Sequence, residues 1–210
     1  MVQVLKDHVK QQISDAAERL FARVGYQKAT MGMIAEEGGV ATGTIYKYYK
    51  NKQALFESII TEAFVAEFKQ LTHNRVASLI DPSQAQQSTS IESGAAGRLL
   101  RFWIDNRLKV IIVLARSEGS RYASFEHDYL QAMAQQALDQ LPCTHPDFND
   151  SRIFHFVFNA RLADTVKGIV SILETFDQEQ DIRAAFAMGW TYHFAGISAV
   201  IAQCSRGGER

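Results

Sequence analysis

The sequence predicts an all-α protein. Only three prolines and thirteen glycines interrupt its 210 residues, and the segments between them are long, which favours helices over many short strands. Hydrophobic residues make up 47% of the chain and charged residues 21%, so the chain has enough apolar side chains to bury a sizeable core. We expect one medium domain, or a small domain joined to a medium one.

Three helices are predicted at the N-terminus, of which the second is short. In the first, apolar residues recur at steps of three and four and form one stripe: Val9, Ile13, Ala16, Ala17, Leu20, Phe21 and Val24. Gly25 suits the left-handed stop after this helix. Thr30 is a candidate N-cap for a second helix that ends at Gly38 and Gly39, and a third helix is predicted from about Ala41 to Tyr49.

A long fourth helix is predicted from the Asn51 cap through Leu71, continuous from the N-terminal region into the rest of the chain. Residues 81–97 are rich in Ser, Gln, Ala and Gly and predict a loop, and the two prolines Pro142 and Pro146 predict another. Further helices are expected near 92–104, 106–117, 124–140, 150–176 and 180–204. We place an N-terminal domain at 1–52 and a helical domain at 53–210.

The last two predicted helices are apolar on more than one face, which indicates burial on two sides. A symmetric four-helix interface between two copies would provide it. The predicted interface residues are Phe158, Leu162, Tyr192, Gly196 and Ala199. The alternative is that both are central core helices of a monomer, because burial alone does not identify the partner.

Charge is unevenly distributed along the chain. The net charge is −1, yet residues 1–55 contain eight Lys or Arg and five Asp or Glu, which suits a small DNA-contacting surface on an acidic body. A solvated charged face is the alternative interpretation. The N-terminus has no apolar signal region and the longest aliphatic run, Val110 to Ala115, is short, so we expect a cytoplasmic protein with no membrane contact. The two cysteines are expected to be ordinary thiols.

Residues 30–49 have the spacing of a helix-turn-helix. This motif needs a small residue where the helices cross, a left-handed glycine in the turn and an apolar anchor in the second helix, and Ala35, Gly39 and Ile45 supply them. Ile45 and Tyr49 are predicted to face inward. The outward residues would then be small, hydroxyl-bearing or cationic, as a major groove requires: Thr42, Gly43, Thr44, Tyr46, Lys47 and Tyr48. A plain helical hairpin with these residues in solvent is the alternative.

Residues 13–55, which include this segment, resemble the DNA-binding domain of TetR-family regulators. The resemblance is carried by Ile13, Ala16, Ala17, Leu20, Phe21, Gly25, Tyr26, Ala29, Thr30, Ile34, Ala35, Gly39, Val40, Gly43, Thr44, Ile45, Tyr46, Tyr48, Tyr49, Lys52 and Leu55. It implies an all-helical homodimer of about nine helices, in which the first three read DNA and the last two form the dimer interface. It also implies a repressor that a small-molecule effector releases from a palindromic duplex operator.

Individual DNA contacts follow from the resemblance by position. Thr30, Thr44, Tyr46, Tyr48 and Lys52 match phosphate contacts of the family, and Thr42, Gly43 and Lys47 occupy positions that approach bases. Two residues depart from the family pattern. Ala41 stands where a capping Ser is common, so Thr42 is expected to replace the lost cap and to shift the helix start by one residue, and Tyr49 stands where Phe is usual.

The region beyond residue 90 carries no family motif. An effector pocket is predicted around Phe102, Trp103, Tyr122 and Phe125, with plain core packing of these aromatic residues as the alternative. An all-helical enzyme is the rival class. The sequence has no Glu-x-x-His, no His pair four residues apart, no Gly-rich phosphate loop and no Gly-x-Ser-x-Gly. We therefore predict no catalytic residue, no metal and no cofactor. A TetR-like protein without DNA binding is a second rival.

Overall fold

The structure is a computed structural model that describes residues 2–80 and 93–206. Within these residues it has ten α-helices and no strand, which confirms the predicted all-α class. The helices are α1 (Val2–Val24), α2 (Met31–Glu37), α3 (Thr42–Ile45), α4 (Lys52–Ile59), α5 (Glu62–Ile80), α6 (Gly94–Asp105), α7 (Arg107–Ile111), α8 (Phe125–Thr144), α9 (Arg152–Thr175) and α10 (Glu179–Arg206). A π-helical turn, Ile112–Arg116, continues α7.

The helices group into two compact units. The first contains the described residues of Met1–Val65 together with Asn106–Glu126, and the second contains those of Ala66–Asp105 and His127–Arg210. The first unit therefore includes the predicted N-terminal domain and a later segment of the chain. The division of function between 1–52 and 53–210 stays a prediction.

Local capping signals in the first unit act as predicted. Gly25 has φ +86° and Gly39 has φ +60°, the left-handed conformation that only glycine adopts at little cost. The Thr30 hydroxyl accepts a hydrogen bond from the Met33 amide at 3.2 Å, and the Asn51 side chain accepts one from the Ala54 amide at 2.8 Å. These side chains satisfy amides that the first turn of a helix leaves without a partner.

The segment Asn106–Glu126 completes the core of the first unit. Val110, Ile112 and Val113 are fully buried there, and the Arg116 carbonyl accepts a hydrogen bond from the Tyr26 amide at 2.8 Å. The aliphatic run that begins at Val110 is therefore part of the core of the first unit, where it packs against α1.

The predicted continuous fourth helix is wrong. Helix α4 ends at Ile59, Ile60 leaves the helical region with ψ 84°, and α5 begins at Glu62. The Thr61 hydroxyl accepts a hydrogen bond from the Phe64 amide at 3.1 Å and so caps the new helix. A threonine followed by an acidic residue is a helix-start signal that the apolar periodicity across this point concealed.

The second unit is built from α5, α6, α8, α9 and α10. Phe154 and Phe158 stack with ring centroids 5.5 Å apart, and the buried Thr72 and Tyr129 hydroxyls lie 3.0 Å apart. Helix α8 continues to Thr144 with Pro142 in its last turn, beyond the predicted end at 140. Helix α6 begins at Gly94, so the last four residues of the predicted 81–97 loop are helical, and residues 81–92 lie outside the described chain.

Candidate functional site

Helix α3 presents one buried face and one open face. Ile45 is fully buried and Tyr49 is 5% exposed, as predicted. The Tyr49 hydroxyl lies 2.9 Å from the Ser14 hydroxyl on α1, which gives the unusual tyrosine a packing role. The residues predicted to face outward are exposed or partly exposed: Thr42, Gly43, Thr44, Tyr46, Lys47 and Tyr48.

Helix α3 is shorter than predicted. It covers Thr42–Ile45, and Ala41 is its N-cap with no side-chain hydrogen bond. The start therefore does not shift to a Thr42 cap. Beyond Ile45 the chain tightens, because the Lys47 amide bonds to the Thr44 carbonyl three residues back at 3.2 Å.

Gly43 is unconstrained by the protein itself. A Cβ atom at this position would meet no atom within 4 Å. Glycine in a helix costs about 1 kcal/mol relative to alanine, and no contact in the free chain accounts for that cost. The open space above Gly43 is what a close approach to DNA requires.

Gly38, in contrast to Gly43, is closely surrounded by other atoms of the protein. A Cβ atom there would lie 3.2 Å from the Ala16 Cβ atom on α1 and 3.2 Å from the Ile34 carbonyl oxygen. The Gln12 side chain also donates to the Gly38 carbonyl at 2.8 Å. Neither contact could be predicted from the sequence, because neither residue stands out by periodicity. They hold the turn of the helix-turn-helix against α1.

Charged groups around α3 are partly neutralised. Arg23 lies 2.6 Å and Arg19 3.4 Å from the Glu37 carboxylate. The hydrogen bond from Arg23 lowers the pKa of Glu37, so this carboxylate stays ionised. Lys47 and Lys50 are exposed on the same segment as the open face of α3, and they can supply cations to a phosphate backbone.

Lys52 holds the turn between α1 and α2. Its ammonium group donates to the carbonyls of Tyr26 at 2.7 Å, Gln27 at 3.3 Å and Ala29 at 2.9 Å. It also lies 4.3 Å from the centroid of the Tyr26 ring. Partial burial lowers the pKa of Lys52. All three ammonium donors are therefore engaged within the chain, a role that the sequence did not reveal.

Substitution of Lys52 and Lys47 should give different results. Lys52→Met is expected to lower the free energy of unfolding by about 1 kcal/mol, because three carbonyls lose their donor. If the ammonium also meets a phosphate, the slope of log K against log salt falls by about one unit. Lys47→Met should leave stability unchanged and alter sequence preference. Thermal unfolding and salt-dependent DNA titration measure these effects; equal stability loss in both variants would contradict the structural role of Lys52.

Comparison with known proteins supports the interpretation of residues 30–49 as a helix-turn-helix. Residues 13–59 match the family model described as bacterial regulatory proteins, tetR family. The N-terminal segment of the chain is therefore similar to the TetR-family domain. It is 41% identical over 61 residues to the uncharacterized HTH-type transcriptional regulator YhgD of Bacillus subtilis (strain 168), covering 29% of this chain and 31% of that protein.

Two further similarities extend beyond the N-terminal domain. The HTH-type transcriptional regulator BetI of Klebsiella pneumoniae (strain 342) is 28% identical over 122 residues, covering 53% of this chain and 62% of that protein. NalD, the secondary repressor of the MexAB-OprM multidrug efflux pump in Pseudomonas aeruginosa, aligns with a TM-score of 0.43 at 18% identity over 89% of this chain and 95% of that one. The chain spans less than two thirds of the length of the curated relatives BetI and YhgD.

The second unit contains two adjoining apolar cavities of about 360 and 560 Å³. Both are in the size range of small-molecule sites. Nine residues line both cavities: Arg75, Leu99, Trp103, Phe158, Thr165, Ile169, Trp190, His193 and Ile197. Among the described residues 2–80 and 93–206, no group of three or more His, Cys, Asp or Glu is placed to hold a metal ion.

The four predicted pocket residues lie at different places. Trp103 lines both cavities. Phe102 is buried with its ring centroid 5.5 Å from that of Phe68. Tyr122 and Phe125 belong to the first unit, where Tyr122 packs 6.5 Å from Phe56. Arg75, Trp190 and His193 were not among the four, because they come from helices far apart in the sequence.

His193 should make stability depend on pH. The Thr165 hydroxyl lies 2.9 Å from its Nδ1 atom, and burial lowers the pKa of His193 below 6.5. The unfolded chain therefore binds a proton more readily than the folded one, so stability falls as pH falls below about 6.5. The melting temperature of His193→Gln should drop less than that of wild type between pH 7.5 and 5.5. Identical drops would contradict this assignment.

Helices α9 and α10 expose large apolar side chains. Ile153 is 77%, Phe156 76%, Met188 74% and Tyr192 86% exposed. Of the predicted interface residues, Tyr192, Gly196 and Ala199 are exposed, whereas Phe158 is buried and Leu162 packs beside it in the second unit's own core. Within the described chain one segment of α10, Glu179–Ser205, is by length and composition apolar enough to cross a bilayer, with a mean hydropathy of 1.2.

Proposed function

We propose that this chain is a TetR-type transcription regulator that binds duplex DNA as a homodimer and is released by a small organic effector. The observation that carries the proposal is the open face of α3. Ile45 and Tyr49 fix the helix from the buried side, while the outward residues are small, hydroxyl-bearing or cationic and exposed. Phosphate contacts position such a helix and base-edge contacts give it specificity. A cytoplasmic location is part of the same proposal.

The proposed contact set is Thr30, Thr42, Gly43, Thr44, Tyr46, Lys47, Tyr48 and Lys52. Thr30 and Lys52 also have structural roles, since Thr30 caps α2 and Lys52 bonds to three carbonyls. These hydrogen bonds would therefore hold both side chains in place when they contact DNA. Gly43 and Lys47 are the residues of the set that we expect to approach bases.

The homodimer is proposed from the exposed side chains of α9 and α10. Exposed apolar patches mark interaction sites in soluble proteins, and we infer that these side chains belong to one. A two-fold interface needs a self-complementary patch, and two antiparallel-packed helices from each copy provide one. A second copy also covers the apolar segment of α10 without a membrane. Two α3 helices related by a two-fold axis would then read half-sites about 34 to 36 Å apart.

Effector release is proposed from the path of the chain. Helices α6 and α8, which line the cavities, directly precede and follow Asn106–Glu126. That segment is packed into the first unit through the Arg116 carbonyl at 2.8 Å from the Tyr26 amide, and Arg121 lies 2.8 Å from Glu62. A cavity ligand that shifts α6 or α8 would therefore displace a segment that supports α1. In this proposal, Asn106–Glu126 transmits the effect of the ligand, in place of the predicted continuous helix from Asn51, which the structure does not contain.

The test of DNA binding is selection of bound sequences from a pool of randomised duplexes. We expect enrichment of a pseudo-palindrome by wild type and none by a variant in which Thr42, Thr44 and Lys47 are all alanine. The variant Glu118→Ala, changed in an exposed turn of the same unit, is the matched control and should enrich the wild-type sequence. Failure of wild type to enrich any sequence would refute DNA binding and favour a ligand-binding protein.

Coupling between effector and operator should be reciprocal. An effector is expected to weaken operator binding by about 5- to 150-fold, and the operator should weaken effector binding by the same factor. Titration of each ligand with and without operator measures both factors. A cavity ligand that leaves operator affinity unchanged would refute release.

A further inference from the structure

The smaller cavity of the second unit opens on the outer surface of α9 and α10. Its wall includes the buried side chains of Trp103 and Phe186, whereas Gly189, Tyr192 and Gly196, which also line it, are exposed. None of these three exposed residues lines the larger cavity. The smaller cavity is therefore the one that a molecule packed on α9 and α10 can close.

Every glycine within α9 and α10 lines this cavity. The three are Gly168, Gly189 and Gly196, and a Cβ atom at any of them would meet no atom within 4 Å. Glycine inside a helix lowers stability relative to alanine, and no contact within the described chain accounts for it here. Glycine allows another molecule to approach the backbone closely. We call this part of the cavity the glycine hollow.

A large exposed side chain lies on the same helix face as two of these glycines. Gly189, Tyr192 and Gly196 are three and four residues apart on α10, so they lie on one face of the helix. Tyr192 is 86% exposed. In a two-fold contact, the protruding residue of each copy can enter the hollow of the other. A surface with both features is self-complementary, which favours a second copy of the chain as the occupant.

A tyrosine side chain suits the cavity in size and in chemistry. An apolar cavity of about 150 Å³ can hold a benzene ring, and this one measures about 360 Å³. The Nε1 atoms of Trp103 and Trp190, which both line it, are buried and have no hydrogen-bond acceptor among the described residues. A phenol oxygen brought to this wall can accept a hydrogen bond from an indole N–H group.

The other polar side chains of the smaller cavity already have contacts within the subunit. The Thr165 hydroxyl lies 2.9 Å from the Nδ1 atom of His193, and the guanidinium carbon of Arg75 lies 4.1 Å from the centroid of an indole ring. Arg161 and Asp164 are exposed and pair at 3.0 Å. An apolar centre with charged side chains at its edge is the usual composition of a protein–protein interface.

We propose that a second copy of this chain closes the smaller cavity, with Tyr192 of the partner subunit placed in the glycine hollow. The inference rests on the proposed homodimer, and it adds that each subunit completes a cavity of the other. In the dimer the smaller cavity is filled by protein, so the larger cavity is the one that an effector can occupy.

Tryptophan fluorescence reports on this cavity, because the chain has two tryptophans and both line it. We would measure acrylamide quenching of the full-length protein above and below the dimer dissociation constant, which sedimentation equilibrium determines on the same samples. Dilution of wild type to the monomer should raise the quenching constant, because the open cavity admits acrylamide to the indole rings.

The variant Tyr192→Ala should keep the fold of the subunit, because Tyr192 is exposed. It should raise the dimer dissociation constant about 30-fold or more, as truncation of a tyrosine at the centre of an interface does. The dimer that it forms at high concentration should be quenched more readily than the wild-type dimer. Tyr192→Phe, which keeps the ring, should retain most of the protection from acrylamide.

Ile153→Ala is the matched control, because Ile153 is 77% exposed on α9 and lines neither cavity. Its dimer should be quenched like the wild-type dimer, whatever the change in dissociation constant. Gly196→Leu should have the opposite effect on the monomer, since its own side chain would fill the glycine hollow. This variant should lower quenching of the monomer and prevent the dimer.

A wild-type dimer that is quenched as readily as the monomer would overturn the proposal and leave the homodimer intact. A Tyr192→Ala dimer with wild-type strength and protection would also overturn it. A wild type that stays monomeric would refute the homodimer and this inference together, and binding of that monomer to phosphatidylglycerol vesicles would identify a lipid surface as the occupant. The expected quenching results without any DNA binding would support this inference and refute the proposed regulator.

Discussion

A single glutamate on the exposed face of α10 is expected to convert the dimer to monomers and to weaken operator binding by about 100-fold or more. Met188 is 74% exposed, so Met188→Glu should leave the fold of each subunit intact. The cost arises on association, because burying an unpaired carboxylate in an apolar interface is highly unfavourable. A monomer contacts only one half-site of the operator. It therefore loses the gain in affinity, about 10² to 10⁴, that two linked DNA-binding domains provide.

Sedimentation at micromolar concentration and operator titration measure this pair of effects. Ala199→Glu, on the same exposed helix, should behave like Met188→Glu. Ala132→Glu is the matched control, since Ala132 is also exposed but lies on α8; this variant should remain dimeric. A wild-type protein that sediments as a monomer would refute the interface on α9 and α10.

The second large effect is expected at Gly43. Gly43→Leu should reduce operator affinity by about 100-fold or more, because its side chain would occupy the space in which a base or phosphate must approach. Gly43→Ala should have a smaller effect. The free protein has no atom within 4 Å of a Cβ atom at this position, so both variants should unfold at or above the wild-type temperature, with a gain of up to about 1 kcal/mol in helix propensity.

Operator titration and thermal unfolding of the same samples separate the effect on DNA affinity from the effect on protein stability. The graded series from glycine through alanine to leucine is its own control, because stability and affinity should move in opposite directions. Full operator affinity in Gly43→Leu would show that α3 does not enter the DNA groove. A loss of stability that parallels the loss of affinity would show that Gly43 is needed for the fold instead.

Signals that act within a few residues were correctly interpreted from the sequence. Gly25 and Gly39 adopt the left-handed conformation, and Asn51 caps α4. Ile45 and Tyr49, four residues apart, both face the core. Such features depend on φ angles, side-chain caps and helical periodicity, which neighbouring residues determine almost alone. The fold class and the outward face of α3 followed from them.

Features that depend on distant residues were missed or wrongly placed. The helix break at Ile60 and Thr61 interrupts an apolar pattern that continues on both sides. Lys52 bonds to carbonyls more than twenty residues earlier in the chain. Tyr122, one of the predicted pocket residues, lies beside Phe56, which is 66 positions earlier in the chain. Periodicity identifies which side chains are buried, but it does not say against what.

The sequence by itself determined that this chain folds into helices and carries a helix-turn-helix, because caps, turns and periodicity encode these locally. Only the tertiary structure decided that Asn106–Glu126 completes the first unit and that Arg75, Trp103, Trp190 and His193 meet at one cavity. The reason is that these arrangements depend on which helices pack together. That choice is made by the summed burial of many side chains rather than by any short motif.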